Sequence, residues 1–187
     1  ESGLEGWDMQ KLGKTFIEPI VKAGFTGILY AGLMMTKDGP KLIEYNVRGG
    51  DPEWEAIMLM MNEDLYTVFD SMLKGEKTNI TFRDGYVVDV VMAANGYPGK
   101  TEKGGVIGGL EQVITIPNLT VFHGGTKVNE NGQLIVDGTR ALHLCGYGRS
   151  MESARAAAYT GVINIRSATN NGILYNRADI PFMEAWK

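Results

Sequence analysis

Apolar residues recur along this chain with two periods, 3.6 and 2, and the alternation between them predicts its elements. Between Trp7 and Gly24 the apolar positions Leu12, Phe16, Ile17, Ile20 and Val21 fall close to one helical face, with Pro19 expected to kink or shift it. Two strands follow, over residues 27–35 and 39–47. They are joined through Thr36-Lys37-Asp38-Gly39, whose Asp-Gly pair signals an antiparallel hairpin. Residues 52–62 and 64–74 return to helical spacing, with Met58, Met60, Met61, Leu65, Val68, Phe69, Met72 and Leu73 on apolar faces. Asp51 before Pro52 predicts an N-cap followed by the first helical residue, and Gly75 a C-terminal stop. The methionines read as flexible core filling.

After Gly75 the texture changes. Residues 77–85 are polar and turn-like, so the chain divides there into candidate domains 1–80 and 81–187. A β-branched strand is predicted over 86–94, then further strands over 112–116, 119–123, 133–136 and 140–146, with Asn131-Gly132 as a hairpin signal. The clearest helix runs over 150–167. Ser150 can cap it, Glu152 suits its first turn, and Met151, Ala154, Ala158, Val162 and Ile165 line one side. The fold class is therefore α+β. Gly104, Gly105, Gly108 and Gly109 lack the spacing and the lysine of a phosphate-binding P-loop.

Composition narrows the function classes. The 187 residues are 44% hydrophobic, enough for a core, and carry a formal net charge of −4. Positive charge is neither in excess nor clustered, which argues against a nucleic-acid-binding surface. One cysteine, Cys145, excludes an internal disulfide framework and fits a reducing, cytoplasmic setting; within the apolar run 141–146 it reads as a small buried hydrophobe. No apolar run approaches about 18 residues, so no membrane-spanning helix is expected. The N-terminus lacks the pattern of a signal peptide. His123 and His143 are too far apart in sequence to form a motif, and His143, alternating within a strand, reads as structural.

The chemistry concentrates in Leu42-Ile43-Glu44-Tyr45-Asn46-Val47-Arg48-Gly49-Gly50-Asp51-Pro52-Glu53. Period two puts Glu44, Asn46 and Arg48 on one face and Ile43, Tyr45 and Val47 on the other, the second fit for a core. A solvated strand face has the same period. The order of groups is more telling: two hard oxygen donors, which suit Mg2+ with substrate phosphates, then a planar cation suited to phosphate, then a glycine turn ending in Asp51 and Glu53.

That stretch with residues 27–41 resembles the phosphoribosylamine–glycine ligase family, ATP-grasp enzymes of purine biosynthesis also called glycinamide ribonucleotide synthetases. The resemblance continues in Val91-Met92-Ala93-Ala94-Asn95-Gly96-Tyr97-Pro98-Gly99, in Phe122-His123-Gly124-Gly125-Thr126 and, weakly, from Tyr175 to Ile180. The chain departs at Gly49, where the family has a bulky aromatic, at Gly124 in place of alanine, at Gly138-Thr139-Arg140 in place of Gly-Gly-Arg, and at Asn176 and Pro181. The resemblance implies that 1–80 is the C-terminal portion of an ATP-grasp catalytic domain and 81–187 a small β-rich domain with one packed helix. It implies metal ligation (Mg2+ or Mn2+) by Glu44 and Asn46, nucleotide contact through Glu44, Asn46 and Arg48, and catalytic roles for Arg48 and Asp51. The implied substrates are ATP, glycine and 5-phosphoribosylamine. The resemblance is to the C-terminal part of the family, and position 1 is not Met. The expectation is thus a piece of a longer polypeptide, inactive without its N-terminal part. Two alternatives stay open: another ATP-grasp carboxylate–amine ligase, and a non-catalytic binding or assembly module on the same fold.

Overall fold

The computed structural model describes residues 8–169 and 172–181. They fall into two compact units, one of residues 8–54 and 62–81, the other of 55–61 and 82–181.

The first unit opens with α1 (Met9–Leu12), whose N-cap Asp8 accepts from the Gln10 and Lys11 amides. A π-helical turn, Gly13–Ile17, leads into α2 (Glu18–Lys22). The expected disturbance at Pro19 takes this form: helical winding continues, but the turn ahead of the proline is wider than α. Strands β1 (Tyr30–Thr36) and β2 (Gly39–Asn46) form an antiparallel two-stranded sheet across a Lys37-Asp38 turn. Gly39 enters β2 at φ +100°, a conformation that favours glycine. The sequence assigned Ile43, Tyr45 and Val47 to a core face. They are exposed instead, by 62%, 37% and 73%. A two-stranded ribbon has little core of its own, although Tyr45 Oη donates to the Phe16 carbonyl at 2.6 Å. The helix α4 (Leu65–Leu73) is capped by Asp64, which accepts from the Thr67 amide, and buries Val68.

The chain passes between the units within α3 (Glu53–Met60). The Trp54 amide bonds to the Gly50 carbonyl at 2.8 Å, closing a turn over Asp51 and Pro52. The helix proper therefore starts at Glu53, not at Pro52.

The second unit is built on a four-stranded antiparallel sheet ordered β4 (Leu119–His123), β7 (Arg140–Gly148), β3 (Tyr86–Ala94), β8 (Leu174–Tyr175). A small hairpin, β5 (Thr126–Val128) with β6 (Leu134–Val136), closes through the Asn131-Gly132 signal. The segment predicted as a strand over 112–116 is instead the short helix α5 (Leu110–Val113) and the turn after it. Its apolar residues Leu110, Val113 and Ile114 follow helical spacing, and Gly109 at φ +83° starts it.

Helix α6 (Met151–Ala168) covers one face of the sheet and begins with a reciprocal capping box between Ser150 and Ser153. Its Ala154, Ala158, Val162 and Ile165 bury against Val88, Val90, Met92, Leu142 and Leu144. Small residues set the spacing: a Cβ added at Gly146 would lie 2.2 Å from the Ala154 carbonyl oxygen. The glycine cluster before α5 also serves packing. A Cβ at Gly105 would meet Ile173 at 2.5 Å, and one at Gly108 the Ala168 carbonyl oxygen at 2.3 Å. No helix among the described residues is long and apolar enough to cross a membrane.

Candidate functional site

The hairpin register builds the site in the first unit. Tyr30 pairs with Asn46 and Gly32 with Glu44, and the register slips between Gly32 and Leu33, leaving Ile43 as the extra residue of a β-bulge. Directly paired residues share a face, so Glu44, Asn46, Tyr30 and Gly32 lie together. Asn46 Nδ2 donates to Glu44 Oε1 at 2.9 Å. The Asn46 side-chain oxygen Oδ1 and the second Glu44 oxygen then point to the role of acceptor or ligand. Gly32 opposite makes room, because a Cβ there would come within 3.3 Å of Glu44 Cγ.

Arg48 does not continue this face as a strand residue. β2 ends at Asn46, and Arg48 lies in the bend that follows, exposed, with a guanidinium nitrogen donating to the Gly49 carbonyl at 2.7 Å. Asp51 is exposed in the turn before α3. Strand geometry therefore joins Glu44 with Asn46 on one face and does not extend to Arg48 or Asp51.

Two residues of this site were not singled out from the sequence. Tyr30 Oη donates to Glu53 Oε1 at 3.2 Å. Partial burial, then the Glu53 carboxylate, holds the Tyr30 phenol above its ordinary value. Counting residues outward from the Asp-Gly turn would have placed Tyr30 near this end of β2, though the bulge shifts the count by one. The other is Trp54. A Cβ built at Gly49 would stand 2.4 Å from the indole carbons Cγ and Cδ2 of Trp54. The indole thus occupies the space beside the very position where the family's aromatic is missing. The bend after the Glu44–Asn46 strand is flanked by an aromatic supplied from five residues downstream.

In the second unit His123 is exposed and its Nδ1 meets the Thr126 hydroxyl at 2.9 Å. His143 is buried, with Nδ1 3.0 Å from Asp89 Oδ2. Cys145 is fully buried, as its setting suggested; burial, then the neighbouring Asp89 carboxylate, pushes its thiol well above the ordinary range.

A carboxylate and an amide oxygen side by side on a hairpin strand, followed by an arginine and a glycine turn, fit the ATP-grasp class. Residues 8–54 match the family model for the phosphoribosylglycinamide synthetase ATP-grasp (A) domain, and residues 87–182 that for the phosphoribosylglycinamide synthetase C domain. The chain belongs to the phosphoribosylglycinamide synthetase family. It is 42% identical over 153 residues to the phosphoribosylamine–glycine ligase of Halalkalibacterium halodurans, covering 82% of this chain and 34% of that protein. It is 40% identical over 164 residues to the chloroplastic phosphoribosylamine–glycine ligase of Arabidopsis thaliana, covering 81% of this chain and 31% of that protein. The crystal structure of phosphoribosylamine–glycine ligase from Thermotoga maritima aligns with a TM-score of 0.61 at 36% identity, over 75% of this chain and 35% of that one. The chain thus spans about a third of the length of these relatives.

Proposed function

We propose that this chain works as the C-terminal part of a longer ATP-dependent ligase that joins glycine to 5-phosphoribosylamine, giving glycinamide ribonucleotide, ADP and phosphate. In this reading residues 1–80 complete an ATP-grasp catalytic domain, residues 81–187 form the β-rich C-terminal domain, and the polypeptide works in the cytoplasm. The N-terminal part of the same polypeptide is the required partner. The observation that carries the proposal is the Glu44–Asn46 pair, hydrogen-bonded on one strand face in a chain of this family.

The donor set fits a hard divalent cation, since a carboxylate and an amide oxygen suit Mg2+ or Mn2+. Bound there, the ion supplies neutralisation of the ATP phosphate charge. Glu44 and Asn46 hold it, and their mutual hydrogen bond fixes which oxygens face outward. The reaction needs activation because a carboxylate cannot expel oxide when an amine attacks. A glycine carboxylate oxygen bonds to the γ-phosphorus as the bond to ADP breaks. The amine then bonds to the acyl carbon as phosphate departs. Such transfer asks for positioning and charge stabilisation more than for covalent help. Arg48 stabilises the transferring phosphoryl group with its fork of donors. Asp51 holds the glycine ammonium or the attacking amine.

The test is Glu44→Gln in the full-length polypeptide, with glycinamide ribonucleotide and ADP quantified. A neutral amide does not offset phosphate charge, so turnover should fall by about two to three orders of magnitude at an unchanged unfolding midpoint. Parental turnover would overturn the assignment. The Gly49–Trp54 exchange favours one second reading, a ligase of this class with a different acid or amine. ATP consumption without glycinamide ribonucleotide would support it, and no ATP consumption with any acceptor would mark a non-catalytic module.

A further inference from the structure

Within the first unit, the ring of Tyr30 stands between two carboxylates. Tyr30 pairs with Asn46 in the β1–β2 register, so it lies on the face that carries Glu44 and Asn46. Glycines leave room at both edges of the ring. A Cβ added at Gly32 would lie 3.5 Å from Tyr30 Cε1 and 3.3 Å from Glu44 Cγ. Gly50 is buried, and a Cβ added there would fall on Glu53 Oε2 and lie 3.0 Å from both Glu53 Cδ and Tyr30 Cε2. Cε1 and Cε2 are opposite edges of one ring, so Glu44 sits toward one edge and Glu53 toward the other.

The hydroxyl at the tip of that ring chooses between them. Asn46 already donates to Glu44, whereas Tyr30 Oη donates to Glu53 Oε1 at 3.2 Å. Partial burial, then the carboxylates of Glu53 and Glu44, hold the phenol above its ordinary value, so it keeps its proton and its donor role at neutral pH. Glu53 itself is exposed. A long acidic side chain in that position ordinarily samples many rotamers. Here the phenol and the bare backbone of Gly50 restrict it to one place. A carboxylate fixed in this way accepts hydrogen bonds and attracts cations. ATP and the phosphate of 5-phosphoribosylamine bring negative charge, and the ammonium of glycine is the cation among the implied substrates. Glycine is small. When its carboxylate meets a phosphate held at Glu44 and Asn46, its ammonium needs a partner close by, and a single tyrosine ring stands between those groups and Glu53.

Resting on the ligase reading, we propose that Tyr30 is a positioning residue and that the Glu53 carboxylate it holds is the acceptor for the ammonium group of glycine. The attacking amine is then the group that falls to Asp51.

The test is steady-state kinetics of the full-length polypeptide, with glycine and ATP varied separately and unfolding midpoints taken on the same preparations. Tyr30→Phe keeps the ring and removes the donor. It should raise KM for glycine about tenfold, with KM for ATP and kcat at saturating glycine within about twofold of the parent. Glu53→Gln keeps the size and removes the charge. It should raise KM for glycine about 10–100-fold, the value of one hydrogen bond to a charged group. Gly50→Ala should act in the same direction by displacing the carboxylate. Tyr30→Phe combined with Glu53→Gln should be little worse than Glu53→Gln alone, because the phenol acts through the acid. A parental KM for glycine in Tyr30→Phe or Glu53→Gln would overturn the proposal, and so would an equal rise in KM for ATP, which would tie the phenol to the metal strand. A parent that forms no glycinamide ribonucleotide would overturn the ligase reading and this proposal with it, whereas a productive parent with unmoved variants overturns the positioning role alone.

Discussion

Gly49→Ala is the sharpest probe of how this chain packs the turn after its Glu44–Asn46 strand. The added Cβ would stand 2.4 Å from two indole carbons of Trp54 and 2.7 Å from Trp54 Cβ. Carbon atoms rest comfortably at about 3.5–4.0 Å, so the ring must withdraw by roughly 1 Å. Rotating the indole does not suffice, because Trp54 Cβ moves only with the backbone at the start of α3. Overpacking of this kind costs about 1–3 kcal/mol. Gly49 has no positive φ, so alanine recovers about 0.4–1 kcal/mol through a less flexible unfolded chain. The net expectation is a destabilisation of about 1–2 kcal/mol, a fall in midpoint of roughly 2–8 °C for a chain of this size. Scanning calorimetry measures it. Trp54→Ala removes the ring but not the Cβ. Gly49→Ala with Trp54→Ala should therefore lose less than the two single variants summed, by about 1 kcal/mol, a coupling typical of residues in contact. A Gly49→Ala variant as stable as the parent, or strict additivity, would show that the indole does not occupy this space.

Arg48→Lys in the full-length polypeptide keeps the charge and loses the planar fork; ligation assayed by product formation should slow by about one to three orders of magnitude, and near-normal rates would mark Arg48 as a surface residue. Glu63 offers a pH test in the first unit. The Thr81 hydroxyl donates to it at 2.7 Å and the Thr81 amide at 2.9 Å, and these bonds hold the carboxyl below its ordinary range. With a depressed folded-state pKa, the contribution is present above the unfolded carboxylate range and is lost as pH falls through the lower, folded value. Thr81→Val should raise the Glu63 titration seen by NMR and make stability less steep in acid; an unchanged titration would refute the assignment.

Elements whose termini carry local chemistry were legible in the sequence. Ser150 announces α6 because an oxygen one residue before a helix satisfies amides that have no other partner. The same reasoning at Asp51 did not hold, since α3 starts at Glu53, and Asp64, read as the first residue of its helix, is the cap of α4. The Asp38-Gly39 and Asn131-Gly132 pairs announce their hairpins for an equally local reason. The sequence failed where a short apolar run fits both periods. Residues 110–116 can alternate or wind, and Gly109 at positive φ decides for winding. It failed also at β5, whose three residues carry too little pattern to stand out, and at the bulge. Nothing in Leu42-Ile43-Glu44 signals an extra residue, yet that residue sets whether Ala31 or Gly32 lies opposite Glu44. The side chain of Ala31 would face Glu44 where Gly32 leaves it space.

The same limit governs two side-chain pairs, with opposite results. Glu44 and Asn46 are two residues apart, so strand geometry alone brings their side chains together, and one period is enough to find them. His143 and Asp89 are 54 residues apart. Alternation in β7 says that His143 faces inward but not what it meets, and an inward histidine in an apolar strand is well explained by packing. Only the antiparallel register of β3 with β7 shows that an acid waits diagonally across from it. A pair on one strand can be found from the spacing of that strand, whereas a pair brought together by register cannot be found from the spacing of either.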